Sequence, residues 1–510
     1  MTINRRELLG LSAIAAAVIT VPSGVGCASA RGDNGLTALA GDFDGQLLLP
    51  SDPGFNLAAW PNNANYANVV PAAVAVCASV ADISRCLKWA QDTGSAFAIR
   101  SGGHNYAGFS TTTGMLIDVR YLNSVSFDNA TGLVHIGAGA NNQDIANILI
   151  RYGVSIPSGR CPTVGFSGLV LGGGWGFGTT RHGPTCDSLL ETNIVLADTS
   201  VVTASENQNA DLFWGLRGAA GGNLGVNSRF TVQTYPAPNV TVFGLTWRPG
   251  HHVELMDALQ TLQIDNPRTI STRSKIVMNT AKAKPGPDDL CVASLGLFWG
   301  SKKDLIEVLQ PVFAIAKPAA VDDQIGVVRT ERNGTLHGPG VIMEMSYWAA
   351  RDFLATEDPT GLYVSKNSFV GERMSVDGLS EMFSWMQRWP GGSLPQLNMG
   401  LFFAFGGAAR DVPATATAFV HRNANFMFQV EPEWTPLDSP KVVAAMQSWL
   451  SEYFDAMTPY LLPQSYQNFP DRTLIDFGKA YYGENLPRLK LVKKKFDPEN
   501  LFNFPQSLPI

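Results

Sequence analysis

The 510-residue chain carries a formal net charge of −6, with 45% hydrophobic and 16% charged residues. A chain of that length exceeds one ordinary core, so two domains are expected, and the apolar share excludes a disordered protein. The acidic balance, which no Lys/Arg run reverses, excludes a nucleic-acid-binding surface; Lys493-Lys494-Lys495 reads as a solvated helix face.

In chain order, residues 1–30 read as a signal peptide. Arg5-Arg6 precede an apolar run from Leu8 to Val21, and Ala28-Ser29-Ala30 fits a small-residue cleavage site. That run is too short to span a bilayer, and the mature chain is expected to hold no integral membrane segment. The paired arginines point to twin-arginine export and a periplasmic or secreted location. Cys27 leaves a lipoprotein anchor as the alternative, although Gly24 stands where a leucine is expected. Of six cysteines, five lie beyond it: Cys77, Cys86, Cys161, Cys186 and Cys291. The odd number leaves at least one without a disulfide partner, and no spacing resembles a zinc site. Cys77 and Cys86 flank a helical pattern and read as buried small hydrophobes.

Residues 31–65 look like an irregular lead-in. Pro71 to Val76 reads as a strand, and Ser79 to Asp82 caps a helix running through Leu87, Trp89 and Ala90. The strand Ala96–Ile99 enters Arg100-Ser-Gly-Gly-His-Asn-Tyr-Ala-Gly-Phe-Ser110, where Gly102 and Gly103 admit positive φ and His104 stands at the rim. Consecutive N–H groups of such a loop form a nest for an anion. Met115–Val119 and Leu133–Gly137 are further strands, and Asn142 to Tyr152 is a helix with Ile145, Ile148 and Leu149 on one face. The alternation to about residue 235 indicates α+β architecture.

A second glycine-rich stretch runs from Gly159 to Gly178, a density that implies backbone lying flat against a ligand. No register in it gives G-x-G-x-x-G, and the chain has no P-loop, H-E-x-x-H or G-x-S-x-G motif. Asp211 to Gly225 is a helix followed by a third glycine loop, leading into a strand at Arg229 to Gln233. Beyond residue 239 long strands (Ile276–Met278, Val292–Leu297, Asn398–Phe405) and amphipathic helices indicate a second, substrate-covering domain. Trp299, Trp348, Trp385, Trp389 and Trp434 read mostly as core or rim packing, with ring-stacking platforms as the alternative. After residue 455 the glycine-and-aromatic style returns, as if the chain comes back to complete the first domain. The expected layout is 31–238, 239–454 and 455–510.

Taken together, the stretches at 100–108, 159–178, 211–226 and 466–507 resemble the berberine-bridge-enzyme-like flavin oxidases of the vanillyl-alcohol-oxidase fold superfamily. The resemblance implies a two-domain FAD-binding α+β fold whose substrate domain is an antiparallel sheet with helices. It implies FAD held by two covalent bonds, from His104 to the flavin 8α-methyl group and from Cys161 to C6. It implies further cofactor contacts at Ser101, Gly102, Gly103 and Asn105, at Val164, Gly168, Gly173 and Gly174, and at Gly225, Val226 and Tyr482. Backbone N–H groups of 101–103 and 221–225 would take the pyrophosphate and adenosine half.

The catalytic base implied is Tyr466, first residue of Tyr466-Gln-Asn-Phe469, where the family's second tyrosine is replaced by Phe469. A phenol of ordinary pKa near 10 needs a cation or hydrogen-bond donors to act as a base. Trp175 stands where many relatives carry a tyrosine, and the 402–407 segment is more apolar than in plant relatives. Val164 stands where relatives control oxygen access, which implies O2 as acceptor and peroxide as product. The expectation is oxidation of an alcohol or hemiacetal carbon in a small molecule such as a carbohydrate or glycosylated metabolite. Oxidative C–C or C–N ring closure on an alkaloid- or polyketide-like substrate is the alternative.

Overall fold

The computed structural model describes residues 36–319, 340–355 and 361–510. The expected signal segment, with Cys27, lies outside the described residues. Strands β1 (Gln46–Leu48), β2 (Ala73–Val76), β3 (Phe97–Arg100) and β4 (Met115–Asp118) form one sheet in the order β1-β2-β4-β3. The pairs β2–β4 and β3–β4 are parallel, and β1 runs antiparallel on the edge. The lead-in is thus less irregular than its composition implies; three residues are too few for an alternating pattern to show.

Helix α1 (Val80–Thr93) supplies the crossover to β3. Ser79 accepts the Asp82 N–H, and the Asp82 carboxylate accepts N–H groups of Ser79 and Ala78 and of Asp44 and Gly45 in the lead-in. One capping box therefore starts the helix and ties the lead-in to it. Cys86 lies within α1 rather than beyond it, and the five cysteines past Cys27 are all buried and outside any disulfide.

A second, antiparallel sheet has β5 (Val125–Asp128), β6 (Leu133–Gly137), β7 (Leu189–Val195), β8 (Val201–Ser205) and β9 (Val226–Gln233) in the order β5-β6-β9-β7-β8. Helix α2 (Asn142–Leu149) follows β6, with Ile145 and Leu149 buried. Residues 239–430 supply a third sheet, antiparallel throughout: β10 (Asn239–Trp247), β11 (Ile270–Met278), β12 (Leu290–Phe298), β13 (Val341–Ser346), β14 (Lys366–Val370), β15 (Leu401–Ala404) and β16 (Phe426–Val430). Their order is β13-β10-β12-β11-β15-β16-β14. The strand expected at 398–405 is shorter, running from Leu401 to Ala404, with the Asn398 side chain held by Arg273 and Glu431 just before it.

The C-terminal segment packs back on the glycine loop at 218–225, where Leu508 N–H donates to Asn223 Oδ1 at 2.7 Å. Its last helix corrects the reading of the lysine run as solvated. Lys494 and Lys495 are exposed, but Lys493 is buried and donates to Asp497 at 2.6 Å and to the carbonyls of Asn223 and Phe502. A lysine is buried there because the aspartate one turn on neutralises it. Trp348, Trp389 and Trp434 are buried, and among the described residues Trp175 is the only tryptophan lining the cavity described below. Among the described residues no helix is long and apolar enough to cross a membrane.

Candidate active site

The cavity, of about 460 Å³, opens where the loop after β3, the segment 159–171, the loop 220–227 and the C-terminal stretches 466–472 and 502–506 converge. The first two walls meet at glycines. A Cβ on Gly102 would collide with the backbone of Gly165 and Thr163, and one on Gly165 with Gly102 and Ser101. Gly103 turns the chain at φ 76°, Ser101 Oγ donates to the Ala138 carbonyl, and Asn105 Oδ1 accepts the N–H groups of Ala107 and Phe109. The loop is thereby fixed before anything binds. His104 then projects at the rim with Nε2 2.9 Å from Thr163 Oγ1. Cys161 is buried in the facing segment, and Asn142 Nδ2 donates to its carbonyl at 2.9 Å.

Of the residues singled out from the sequence, Ser101, Gly102, Gly103, His104, Asn105, Cys161, Val164, Gly168, Gly225, Val226, Tyr466 and Tyr482 all line this cavity. Gly173 and Gly174 do not. Their side-chain positions face Phe419 and Thr185, and both have positive φ, 109° and 92°. Within 159–178 the glycines that line the cavity are Gly159, Gly165 and Gly168. The later ones let the backbone pack closely against Asn468, Phe419, Thr185 and Ser158, so glycine density there serves packing rather than a flat ligand face.

Tyr466 is where the later glycines act. Gly174 N–H donates to its hydroxyl oxygen at 2.9 Å and Asn468 Nδ2 does so at 3.1 Å. Asn468 is oriented by a second donation, to the Leu169 carbonyl at 2.9 Å. The rings of Phe369, Phe419 and Phe469 meet Tyr466 edge-on at 6.2, 6.3 and 5.2 Å. Burial pushes the phenol above its ordinary pKa, while Asn468 and the Gly174 N–H pull it down. The sequence reading called for a cation or donors beside Tyr466, and two donors are present; burial nonetheless outweighs them. With both acceptor directions taken, the hydroxyl's own proton is the part left to face the cavity.

Sequence reasoning missed several lining residues. Ser110 Oγ and Asn227 Oδ1 are buried side-chain atoms with no hydrogen-bond partner among the described residues. Arg472 lies over the rings of Tyr66 and Phe109 at 5.1 and 5.5 Å, and Arg160 stands beside Cys161. Asn468 was signalled by its place two residues after Tyr466; the others carried no local signal. The aromatic wall near Tyr466 comprises Trp175, Phe403, Phe469 and Tyr106, with Trp175 Nε1 donating to the Ala404 carbonyl at 2.7 Å.

These residues fit FAD. Arg160 and Arg472 line the cavity, and no carboxylate does so among the described residues, which suits a pyrophosphate. The orphaned atoms of Ser110 and Asn227 call for a polar ligand, and glycine walls admit a long flat one.

Comparison with known proteins agrees. Residues 71–205 match the FAD binding domain family and residues 465–509 the berberine and berberine-like family. An uncharacterized FAD-linked oxidoreductase of Bacillus subtilis, YvdP, is 30% identical over 91% of this chain and 98% of its own length. The glucooligosaccharide oxidase of Sarocladium strictum is 29% identical over 85% and 86%. The solved glucooligosaccharide oxidase of Acremonium strictum, described as carrying 6-S-cysteinyl, 8α-N1-histidyl FAD, superposes with a TM-score of 0.78 over 93% of this chain and 98% of that one, at 24% identity.

Proposed function

Because this chain belongs to the berberine-bridge-enzyme-like FAD-linked oxidoreductases of the vanillyl-alcohol-oxidase family, we propose that it oxidises an alcohol or hemiacetal carbon of a carbohydrate or glycosylated metabolite, with O2 as acceptor and H2O2 as co-product. The observation that carries the reading is the Tyr466 hydroxyl at the wall of the cavity that also holds His104 and Cys161, its oxygen bonded by two N–H donors. The names of carbohydrate-oxidising relatives support the substrate class, and do not favour ring closure.

FAD, when bound, supplies the two-electron acceptor for the substrate hydride and the route onward to O2. His104 and Cys161 hold it covalently in this proposal. Nε2 of His104 lies 2.9 Å from Thr163 Oγ1, and a flavin bond formed at Nδ1 would leave that contact in place. Ser110, Asn227, Arg160 and Arg472 hold its polar half, and Val164 sets oxygen access. Tyr466 orients the substrate hydroxyl and, in its phenolate form, takes the hydroxyl proton as the carbon loses hydride. Gly174 N–H and Asn468 Nδ2 stabilise that phenolate. The walls of Trp175, Phe403 and Phe469 exclude water and stack on the substrate.

Peroxide release and product mass over a panel of mono- and oligosaccharides test the proposal. A product two hydrogens lighter than its substrate, one peroxide per turnover, is expected. Turnover confined to ring-forming substrates would overturn it.

A further inference from the structure

Tyr466 sits on a short turn, residues 464–469, gripped by two side chains from elsewhere in the fold. On one side Asn367 of β14 accepts the Tyr466 N–H at 2.7 Å and the Ser465 hydroxyl at 3.2 Å, and donates to the Phe469 carbonyl at 2.7 Å. On the other stands His421, fully buried. Its Nδ1 is 3.1 Å from Gln464 Oε1 and its Nε2 is 3.0 Å from Gln467 Oε1. The imidazole thus spans the two glutamines that bracket Tyr466. It stacks on Phe369 at 4.3 Å and meets Phe419 edge-on at 5.1 Å, and both of those rings pack against Tyr466.

The protonation state follows from a carbonyl. Gln467 Nε2 donates to the Gly218 carbonyl at 2.8 Å, which leaves Oε1 to face the ring. An amide oxygen only accepts, so His421 Nε2 carries a proton. A second proton is opposed by burial and by Arg422, itself paired with Asp187, against the pull of the two glutamines; the ring's pKa is held down at about 4. A neutral ring offers Nδ1 as an acceptor, which requires the half-buried Gln464 amide, whose Oε1 faces Nδ1 in the structure, to turn over and present its N–H.

We infer that His421 is a positioning residue for the proposed oxidation: neutral and protonated at Nε2, it staples Gln464 to Gln467 and, with Asn367, fixes where the Tyr466 hydroxyl meets the cavity. This rests on the role given to Tyr466 above. The donors Gly174 and Asn468 reach the hydroxyl only while the turn keeps its height, and misplacement by about 1 Å costs on the order of 10²-fold in rate.

Two measurements on the intact flavoenzyme test it. In 15N-histidine-labelled protein, with His421→Gln used for assignment, long-range 1H–15N correlation reads the His421 tautomer. The Nε2–H neutral form is expected from about pH 8 to about pH 6; an Nδ1–H tautomer or an imidazolium overturns the inference. In His421→Ala, kcat is expected to fall about 10²-fold with KM changed less than about threefold, and added imidazole to restore part of it. Wild-type kcat, or a loss that imidazole does not relieve, overturns it. If that variant does not fold, the tautomer of the wild-type protein still decides. Tyr466→Phe separates the two claims: full activity there refutes the role of Tyr466 and leaves the tautomer test standing.

Discussion

Replacing Asn468 by alanine tests the chemistry of Tyr466 most specifically. The substitution removes the 3.1 Å donation to the hydroxyl and leaves the 2.9 Å donation from Gly174. A hydrogen bond to a charged acceptor contributes about 1.5–3 kcal/mol, and one pKa unit corresponds to about 1.36 kcal/mol. The phenol should therefore ionise roughly one to two units higher in the variant than in the wild type. The sign is fixed by the site: Asn468 lowers the pKa and burial raises it, so losing Asn468 moves it further up. If the phenolate is the active form, kcat/KM rises with pH through the alkaline range. At any pH below the phenol's pKa the variant should then be about ten- to a hundredfold slower. The assay is peroxide release across pH at matched flavin content. Overlaid profiles for the two proteins, or activity that falls from neutral to alkaline pH in the wild type, would refute the reasoning.

Three further outcomes follow from the same geometry. Gly102→Ala places a methyl against the backbone of Gly165 and Thr163, where no flexible side chain can yield. A stability loss of about 1–3 kcal/mol and reduced FAD content are expected from urea unfolding and the visible-to-ultraviolet absorbance ratio; unchanged values contradict it. Asp187→Ala strips the carboxylate from Arg422, buried and paired at 2.6 Å, and should cost about 3–5 kcal/mol; an unshifted urea midpoint contradicts that. His421, held at about 4 against an ordinary 6.5, is neutral in the fold but charges in the unfolded chain. Its contribution, about 3 kcal/mol, is full above pH 6.5 and is lost as pH falls toward 4. Urea unfolding at stepped pH checks this, and a flatter acid limb in His421→Gln is the expected companion result.

What could be read from the sequence was local. The Ser79–Asp82 cap, the strands at 115 and 133 and the loop Arg100–Ser110 each declare themselves within a dozen residues, through capping chemistry, alternation and paired glycines. Tyr466 and the two flavin-linking candidates were reached through resemblance, and the structure gathers them at one cavity. What surrounds them was not legible, because the partners are remote: Asn468 meets Leu169 across 299 positions and Gln467 meets Gly218 across 249. Gly173 and Gly174 lie off the cavity lining for the opposite reason. A glycine required by a neighbouring side chain, Phe419 or Thr185, looks the same in sequence as one required by a ligand. Lys493 misled through its neighbours, since Lys494 and Lys495 do face solvent while Asp497, one turn on, draws Lys493 inward.

The most direct test of the account is the fate of the flavin when the purified protein is denatured in acid and pelleted. Yellow colour retained in the wild-type pellet, and released to the supernatant only in the His104→Ala, Cys161→Ala double variant, is the predicted result. A white wild-type pellet would contradict the covalent attachment on which the reading of this cavity rests.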